Sequence, residues 1–503
     1  MTGQFGCSGD ILAKASAYFL KTHLRARASA LVLAGALAAG SLTGITPAWA
    51  ENLQDALVAT YGSNPTLQAA RAELRATDEN VAQALSNWRP SASVTGTSQF
   101  SQSDNELRSG AGFANLTSSR DDRVSNSGTV SVRQNLFRGG RTVAETRQAK
   151  AQVAAGRAQL SGTEQEVLLA AVTAYMDVLR DAATVELNRN NVTVLQRQLE
   201  ASQDRFDVGE ITRTDVAQSE ARLSRSQSAL ISAEAALTNS RAAYERIVGM
   251  APGTLDASPA LPPLPGTENE ALGIAVTNNP ALQAARFAEE ASRHAISQAK
   301  GALLPTLTVE GDYTYADNPS STVRNSESAT VTGRLTIPLY QSGAVYSQVR
   351  QAKQLNSQSR LQIREALRQV EEGVASAWEA YRAANAQITS DREQVRANEI
   401  ALDGVQQEAQ VGSRTTLDVL DAEQELLDSR VALVTSERNA YVAAYQLLSA
   451  VGRLNAEYLG LPVERYEPTV NYDDVSGKWF GFGIEDDPDE IAPESGTDAA
   501  SQL

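Results

Sequence analysis

The chain has 503 residues, with 44 Lys+Arg against 60 Asp+Glu, a net charge of −16, two His and one Cys. A phosphate-binding surface needs clustered Lys and Arg, so no nucleic-acid partner is expected. Thiolate and multi-His metal sites lack ligands, and a Ser–His nucleophile would rest on His294 alone, so neither an enzyme nor a cofactor is expected. Length alone suggests about three domains. Aromatics are only 5% while Ala is abundant, a mixture that suits close-packed long helices.

Residues 1–50 read as an export signal. Lys21, Arg25 and Arg27 precede the small apolar run Ala28–Ile45, and Ala48-Trp49-Ala50 is a small-x-small cleavage site. A retained membrane anchor is the other reading of that run. Cys7 precedes it and so cannot be the lipid-bearing Cys of a lipoprotein. After Glu51 no apolar run reaches the roughly 18 residues of a membrane helix.

The rest of the chain is written twice. Asn64-Pro65-Thr66-Leu67-Gln68-Ala69-Ala70-Arg71 recurs as Asn279-Pro280-Ala281-Leu282-Gln283-Ala284-Ala285-Arg286, and Pro90 as Pro305, both at an offset of 215. Arg147-Gln148-Ala149-Lys150 recurs as Arg350-Gln351-Ala352-Lys353, Val208-Gly209 as Val411-Gly412 and Val248-Gly249 as Val451-Gly452, all at 203. The difference of 12 places a longer loop in the first copy between Pro90 and Arg147. The expected organisation is a signal at 1–50, a first unit at 51–251, a Pro-rich linker at 252–265, a second unit at 266–461 and an acidic, disordered tail at 462–503.

Each copy opens on helix and then alternates with period 2. In the first copy Ala92, Val94, Gly96, Ser98 and Phe100 share a face. Val130, Val132 and Leu136 oppose Thr129, Ser131, Arg133 and Asn135. In the second, Leu307, Val309, Gly311, Tyr313 and Tyr315, then Val331, Gly333, Leu335, Ile337 and Leu339, do the same. About ten residues of such alternation fit a membrane-barrel strand or a half-buried soluble hairpin. Four strands cannot close a barrel with a lumen, so a barrel here requires several chains.

Long helices follow. Arg141–Val208 spans 68 positions without Pro, roughly 100 Å at 1.5 Å per residue. Near its end Val192, Leu195, Leu199, Ser202 and Phe206 form a coiled-coil seam, echoed by Val395, Leu402, Val405 and Ala409. Gly209 and Gly412 break the helices, and return helices are expected over about 214–248 and 416–451. Ala229, Ala233 and Ala236 offer a small face for close approach.

These features resemble the TolC family of outer-membrane efflux and secretion channels. The most specific pieces are the turns Arg205-Phe206-Asp207-Val208-Gly209-Glu210-Ile211-Thr212-Arg213-Thr214-Asp215-Val216 and Gln410-Val411-Gly412-Ser413-Arg414-Thr415-Thr416-Leu417-Asp418-Val419-Leu420-Asp421-Ala422. The resemblance implies a mainly α fold with membrane β-strands. It further implies a homotrimer in the outer membrane of a Gram-negative bacterium, each chain giving four strands to a twelve-stranded barrel above a periplasmic tunnel. A periplasmic adaptor, docking at Val208, Gly209, Val411 and Gly412, and an inner-membrane ABC or proton-driven transporter are the implied partners, with outer-membrane lipid around the barrel. The cargo is a protein or a small molecule.

Asp418 and Asp421, at i and i+3, share a helix face and match the family's constriction aspartates. They also read as ordinary helix N-terminal charge. Arg414 matches the family's gate-locking arginine, and Thr214 and Asp215 its partners. The family's Tyr is replaced by Ala409, so one link of that lock is missing. A periplasmic coiled-coil adaptor is the alternative, and it would not repeat the strand pair. In the tail, 462–503, eleven acidic and two basic residues surround the aromatic island Lys478-Trp479-Phe480-Gly481-Phe482, which suits either packing on the body or partner docking.

Overall fold

The computed structural model describes residues 52–107, 117–256 and 261–481. The expected signal and the end of the tail lie outside them. Each copy runs helix, helix, strand, strand, long helix, return helix. The first copy comprises α1 (Leu53–Ser63), α2 (Pro65–Ser86), β1 (Ser91–Leu107), β2 (Thr117–Arg138), α3 (Arg141–Asp207) and α4 (Arg213–Val248). The second comprises α5 (Glu268–Asn278), α6 (Pro280–Gly301), β3 (Thr306–Ser320), β4 (Val323–Thr336), α7 (Ala344–Gln410) and α8 (Thr416–Ala450), and a short α9 (Val470–Gly477) follows. α3 and α7 each have 67 residues, roughly 100 Å of helix.

The duplicated Asn-Pro octet has a local cause. Asn64 Oδ1 accepts from the amides of Thr66 (2.9 Å) and Leu67 (3.3 Å), while its Nδ2 donates to the Ile247 carbonyl at the end of α4 (2.9 Å). Asn279 repeats this with Ala281, Leu282 and the Ala450 carbonyl. Pro occupies the first helical turn, where its missing N–H costs nothing. Gln68 and Arg71 donate back to the Gly62 and Tyr61 carbonyls, and Gln283 and Arg286 to those of Thr277 and Val276. The octet therefore caps one helix, closes the one before it and ties both to the return helix.

The main core lies at this end of the helices. Leu57, Tyr61, Leu67, Leu168, Val172, Tyr175, Tyr244, Val248 and Leu448 are buried together with Leu454 and Leu461. Tyr175 donates to the Asp256 carbonyl at 3.0 Å, so its hydroxyl is satisfied inside that core. Towards the opposite turns the first hairpin's seam becomes more polar, while the second still buries Leu402, Val419, Leu420 and Leu426. Ser219, Ser226, Ala233 and Ser240, seven apart, are the buried small residues of α4, alternating with half-buried Leu223, Leu230 and Leu237. Ser429 and Ser436 repeat the pattern in α8. Ala229 and Ala236, expected on the close-packed face, are exposed, and only Ala233 is buried. Ser202 and Ser219 hydroxyls meet at 3.2 Å, Asn191 donates to Ser226 at 3.0 Å, and Ser436 donates to Asp391. Phe206, at the end of the expected seam, is exposed.

Among the described residues four strands form one antiparallel sheet in the order β1-β2-β3-β4, with β1 and β4 as its open edges. They run 14 to 22 residues, longer than the alternation suggested. Beyond the apolar stretch both faces are polar, and period-2 patterning has nothing to report there. β4 ends at Thr336, so Ile337 and Leu339 lie past it. A bulge between Asn135 and Phe137 re-phases β2, so Phe137, not Leu136, stands opposite Leu307.

Residues 462–481, expected to be disordered, pack on the body. Asn471 donates to Asp78 (2.9 Å), Arg157 lies over the Tyr472 ring (5.3 Å), and the Tyr466 amide donates to the Tyr61 hydroxyl (3.2 Å). The buried apolar patch of Val81, Ala149 and Val153, with Tyr472 against it, explains why so acidic a segment is held. Residues 482–503 lie outside the described residues.

Candidate functional site

Two features at opposite ends of the long helices carry the chemistry. The first is a sheet whose burial is inverted. Along β2 the polar side chains of Asp121, Arg123, Ser125, Ser127, Thr129 and Ser131 are half-buried, whereas Val124, Val130 and Val132 on the other face are exposed. Register places Thr129 beside Thr95 and Thr314, and their hydroxyls join across β2 and β3 at 3.0 Å. Ser131 likewise donates to Asp312 at 2.6 Å. The opposite face aligns Val94, Val130, Tyr313 and Ala329 in one row. The next row aligns Ala92, Val132, Gly311 and Val331, the last 83% exposed. From Leu307 to Tyr315 this apolar face is nine residues long, within the about 9–11 that a tilted strand needs to cross a bilayer. With the polar face of β2 half-buried and its apolar face outward, the sheet suits lipid outside and water inside, while β4 is exposed on both faces. Among the described residues no helix is long and apolar enough to cross a membrane.

The second feature is the pair of helix turns. α3 ends at Asp207, Gly209 takes φ +80, and Thr212 caps α4. α7 ends at Gln410, Gly412 takes φ +77, and Thr415 caps α8. Only glycine adopts that backbone without steric cost. The Val208 and Val411 side chains beside these glycines are exposed.

Both turns are held by carboxylates. Asp215 Oδ2 accepts from the Thr212 amide (2.9 Å) and hydroxyl (2.8 Å), and Asp418 Oδ2 accepts from Thr415 in the same way. These are capping boxes, with each Asp three residues after its cap. The Thr212 hydroxyl and amide hold the Asp215 carboxyl below its usual range, and the Thr415 amide and hydroxyl do the same for Asp418. Arg414 Nε donates to Glu408 Oε2 at 2.8 Å, which raises the guanidinium further, and Arg205 pairs with Glu210 at 3.1 Å in the other turn. Within one chain, Arg414 is therefore engaged in its own turn, and Thr214 and Asp215 stand on the other.

Asp421 pairs with Arg222 of α4. This cross-hairpin ion pair was missed by sequence reasoning, because the partners are 199 residues apart and follow no motif. The heptad of small residues in α4 was legible as Ser219, Ser226, Ala233 and Ser240 but lay between more conspicuous alanines. Nearby Glu423 accepts from Gln406 at 3.0 Å, and burial pushes its carboxyl up. His294, the one candidate base, sits on α6 with Nε2 3.7 Å from Glu290.

The capping geometry predicts a pH response. A carboxylate whose folded pKa is depressed contributes stability above its unfolded value and loses it as pH falls through the folded value. Hydrogen exchange at the Asp215 and Asp418 amides should therefore accelerate as pH drops below about 4, the ordinary Asp range, relative to amides in the middle of α4 and α8. Equal pH dependence at both places would show that the boxes do not hold the turns.

Comparison with known proteins follows the same lines. The profile of the family described as Outer membrane efflux protein matches residues 56–250 and 271–453, one stretch per copy. The chain is 35% identical over 457 residues to the outer membrane efflux protein BepC of Brucella suis, covering 91% of this chain and 97% of that one. It is 27% identical to the outer membrane protein TolC of Vibrio cholerae, covering 81% and 92%. In structure it superposes on the CmeC outer membrane channel of Campylobacter jejuni with a TM-score of 0.70, at 14% identity, over 84% of this chain and 89% of that one. The duplicated helical hairpins, the inverted sheet and a family match covering both copies lead to one conclusion: this chain belongs to the outer membrane efflux protein family, a channel of the Gram-negative outer membrane with a periplasmic tunnel and not an enzyme.

Proposed function

We propose that three copies assemble through the open edges β1 and β4 into one twelve-stranded barrel, continued by a helical tunnel that narrows at the turns. The observation that carries this reading is the inverted sheet. One chain offers four strands with unpaired edges, and a lipid-facing sheet must have every backbone group satisfied. Three times four strands is more than the roughly eight that enclose a packed interior, and leaves a lumen. The adaptor reading has no use for a sheet apolar on its exposed face.

At the turns Asp418 and Asp421 form the constriction, stacked as two acidic rings in the trimer. Asp418 serves both as cap and as ring charge, because its cap uses Oδ2. Asp421 carries a counter-ion in Arg222, and Arg414 acts electrostatically on Asp418, so both charges are partly compensated within one chain. Arg414, released from Glu408, reaches Thr214 and Asp215 of a neighbouring turn to hold the tunnel closed. The exposed tips Val208, Gly209, Val411 and Gly412 receive a periplasmic adaptor, which joins the channel to an inner-membrane ABC or proton-driven transporter. The cargo is a small molecule or a secreted protein. BepC is named an efflux protein, which supports the first.

Planar-bilayer recording of the purified protein tests this. Discrete, cation-selective steps are expected, blocked by divalent cations at the turn end. Asp418→Ala with Asp421→Ala should raise conductance and relieve the block. Unchanged conductance together with unchanged block sinks the acidic constriction, and absence of steps in the unaltered protein sinks the assembled channel.

A further inference from the structure

Two sets of large apolar side chains stand exposed at the same end of the sheet, one at each open edge. At β1 they are Trp479, 59% exposed, and Phe480, 90% exposed. Their position is fixed by Arg89, which immediately precedes Pro90 and the first strand residue, Ser91. Arg89 donates to the Lys478 carbonyl and, at 3.3 Å, to the Ser476 carbonyl. Its guanidinium lies 4.9 Å from the centre of the Trp479 ring. The preceding α9 is anchored through Asn471, Tyr472 and buried Val475. The chain is thus tied down as far as Lys478 and then presents two aromatic rings at the base of β1.

At the other edge the chain leaves β4 after Thr336 and exposes Ile337, Leu339 (90%) and Tyr340 (78%) before α7 begins. All neighbouring strands are antiparallel, so β1 starts and β4 ends at the helical end of the sheet. Adding β4 of one copy to β1 of the next, antiparallel, brings the two sets to one place.

We infer that Trp479 and Phe480 dock on Ile337, Leu339 and Tyr340 of the neighbouring copy, forming a clasp between chains where barrel meets tunnel. This rests on the trimeric reading above. The interface is head-to-tail, donor cluster against acceptor cluster, and repeats around a closed ring. Buried Trp and Tyr anchors are the usual strong points of such contacts. Arg89 holds the Trp479 ring before docking, so less side-chain freedom is lost on association. Insertion into the periplasmic lipid leaflet would account for Lys478, Trp479 and Phe480. What favours the clasp is that the two clusters stand at the two strand edges that pair, and the lipid outcome is read separately in the test.

The test pairs Phe480→Cys with Leu339→Cys in a Cys7→Ser background, treated in membranes with a bismaleimide. Covalent dimers and trimers are expected from the pair, and monomers only from either single variant. The oligomeric state of the same untreated variant is read by native mass spectrometry. A trimer that fails to cross-link overturns the clasp and leaves the channel reading standing, while a monomer overturns both. Quenching of Trp479 fluorescence by brominated lipid in a trimer that does not cross-link assigns the segment to the membrane instead. As a second readout, Trp479→Ala with Phe480→Ala should lower the temperature at which the trimer dissociates in detergent, and Val470→Ala, exposed on α9, should not. An unchanged dissociation temperature in the double variant also overturns the clasp.

Discussion

Gly139→Ser is expected to destabilise the protein by about 3 kcal/mol or more, although the second copy carries Ser at the matching position. Gly139 and Ser342 lie 203 residues apart and share the left-handed backbone, with φ +62 and +52. Ser342 is exposed, so its side chain meets nothing that resists it. A Cβ on Gly139 would fall 2.3 Å from the Gly301 carbonyl oxygen and 2.8 Å from Leu304 Cβ. The left-handed conformation costs about 1–2 kcal/mol, and overlap in a packed joint about 1–3 more. Ser342→Gly, which meets no such overlap, should change stability by less than about 1 kcal/mol. Thermal unfolding of the extracted protein, followed by far-ultraviolet circular dichroism, separates the two. Equal losses would mean that the sheet–helix joint is not packed as described. The joint matters because it sets the direction in which the long helix leaves the membrane sheet.

Val331→Arg is expected to block assembly in the outer membrane, while Thr330→Arg, one residue away, is tolerated. Val331 lies on the apolar face opposite Gly311, and Thr330 lies on the polar face opposite Asp312. Arg at mid-membrane costs about 2–4 kcal/mol per chain on the lipid face of a barrel. Repeated in every copy of an oligomer, that cost rivals the whole stability of an ordinary domain, about 5–15 kcal/mol. At Thr330 the guanidinium meets water and the Asp312 carboxylate. Heat-modifiable migration of the membrane fraction reports assembly. Loss in both variants, or in neither, would show that the two faces are not lipid and lumen.

Much of the fold was legible because each element repeats a simple rule. The long helices showed as Pro-free stretches ended by Gly209 and Gly412, and the expected first helix over 141–208 differs from α3 by one residue. The sheet showed only where one face was apolar. Strand stretches such as Ser101–Asp104, polar at every position, gave no period, so the strands were underestimated. The bulge at Leu136 is invisible to alternation because it changes phase where two apolar residues adjoin. The tail misled through composition. Its acidity spoke for disorder, but Tyr472 and Asn471 find a buried patch and Asp78 that only the folded body assembles.

The turns were legible as positions more than as contacts. Gly209 and Gly412 could be named from the breaks they make in the helices, whereas Asp418 and Asp421 shared a helix face by spacing and were singled out through the family resemblance. Their partners could not: Thr212 and Thr415 turn Asp215 and Asp418 into caps, and Arg222 reaches Asp421 from the other copy. The two hairpins differ towards their turns. Apolar packing concentrates near α1 and the ends of α4 and α8, and the first hairpin is closed towards its turn by Ser–Ser and Asn–Ser contacts, whereas the second buries Val419, Leu420 and Leu426 close to its turn. The first seam therefore has the smaller apolar area to lose on opening.

The proposed assembly requires that β1 of one copy join β4 of the next and close a single barrel over a shared tunnel. Single-particle imaging of the protein extracted from outer membranes tests it most directly. A threefold particle is expected, with twelve strands, each chain contributing four, above a helical tunnel roughly 100 Å long. A monomer, a particle of other symmetry, or a trimer with β1 and β4 unpaired would contradict it.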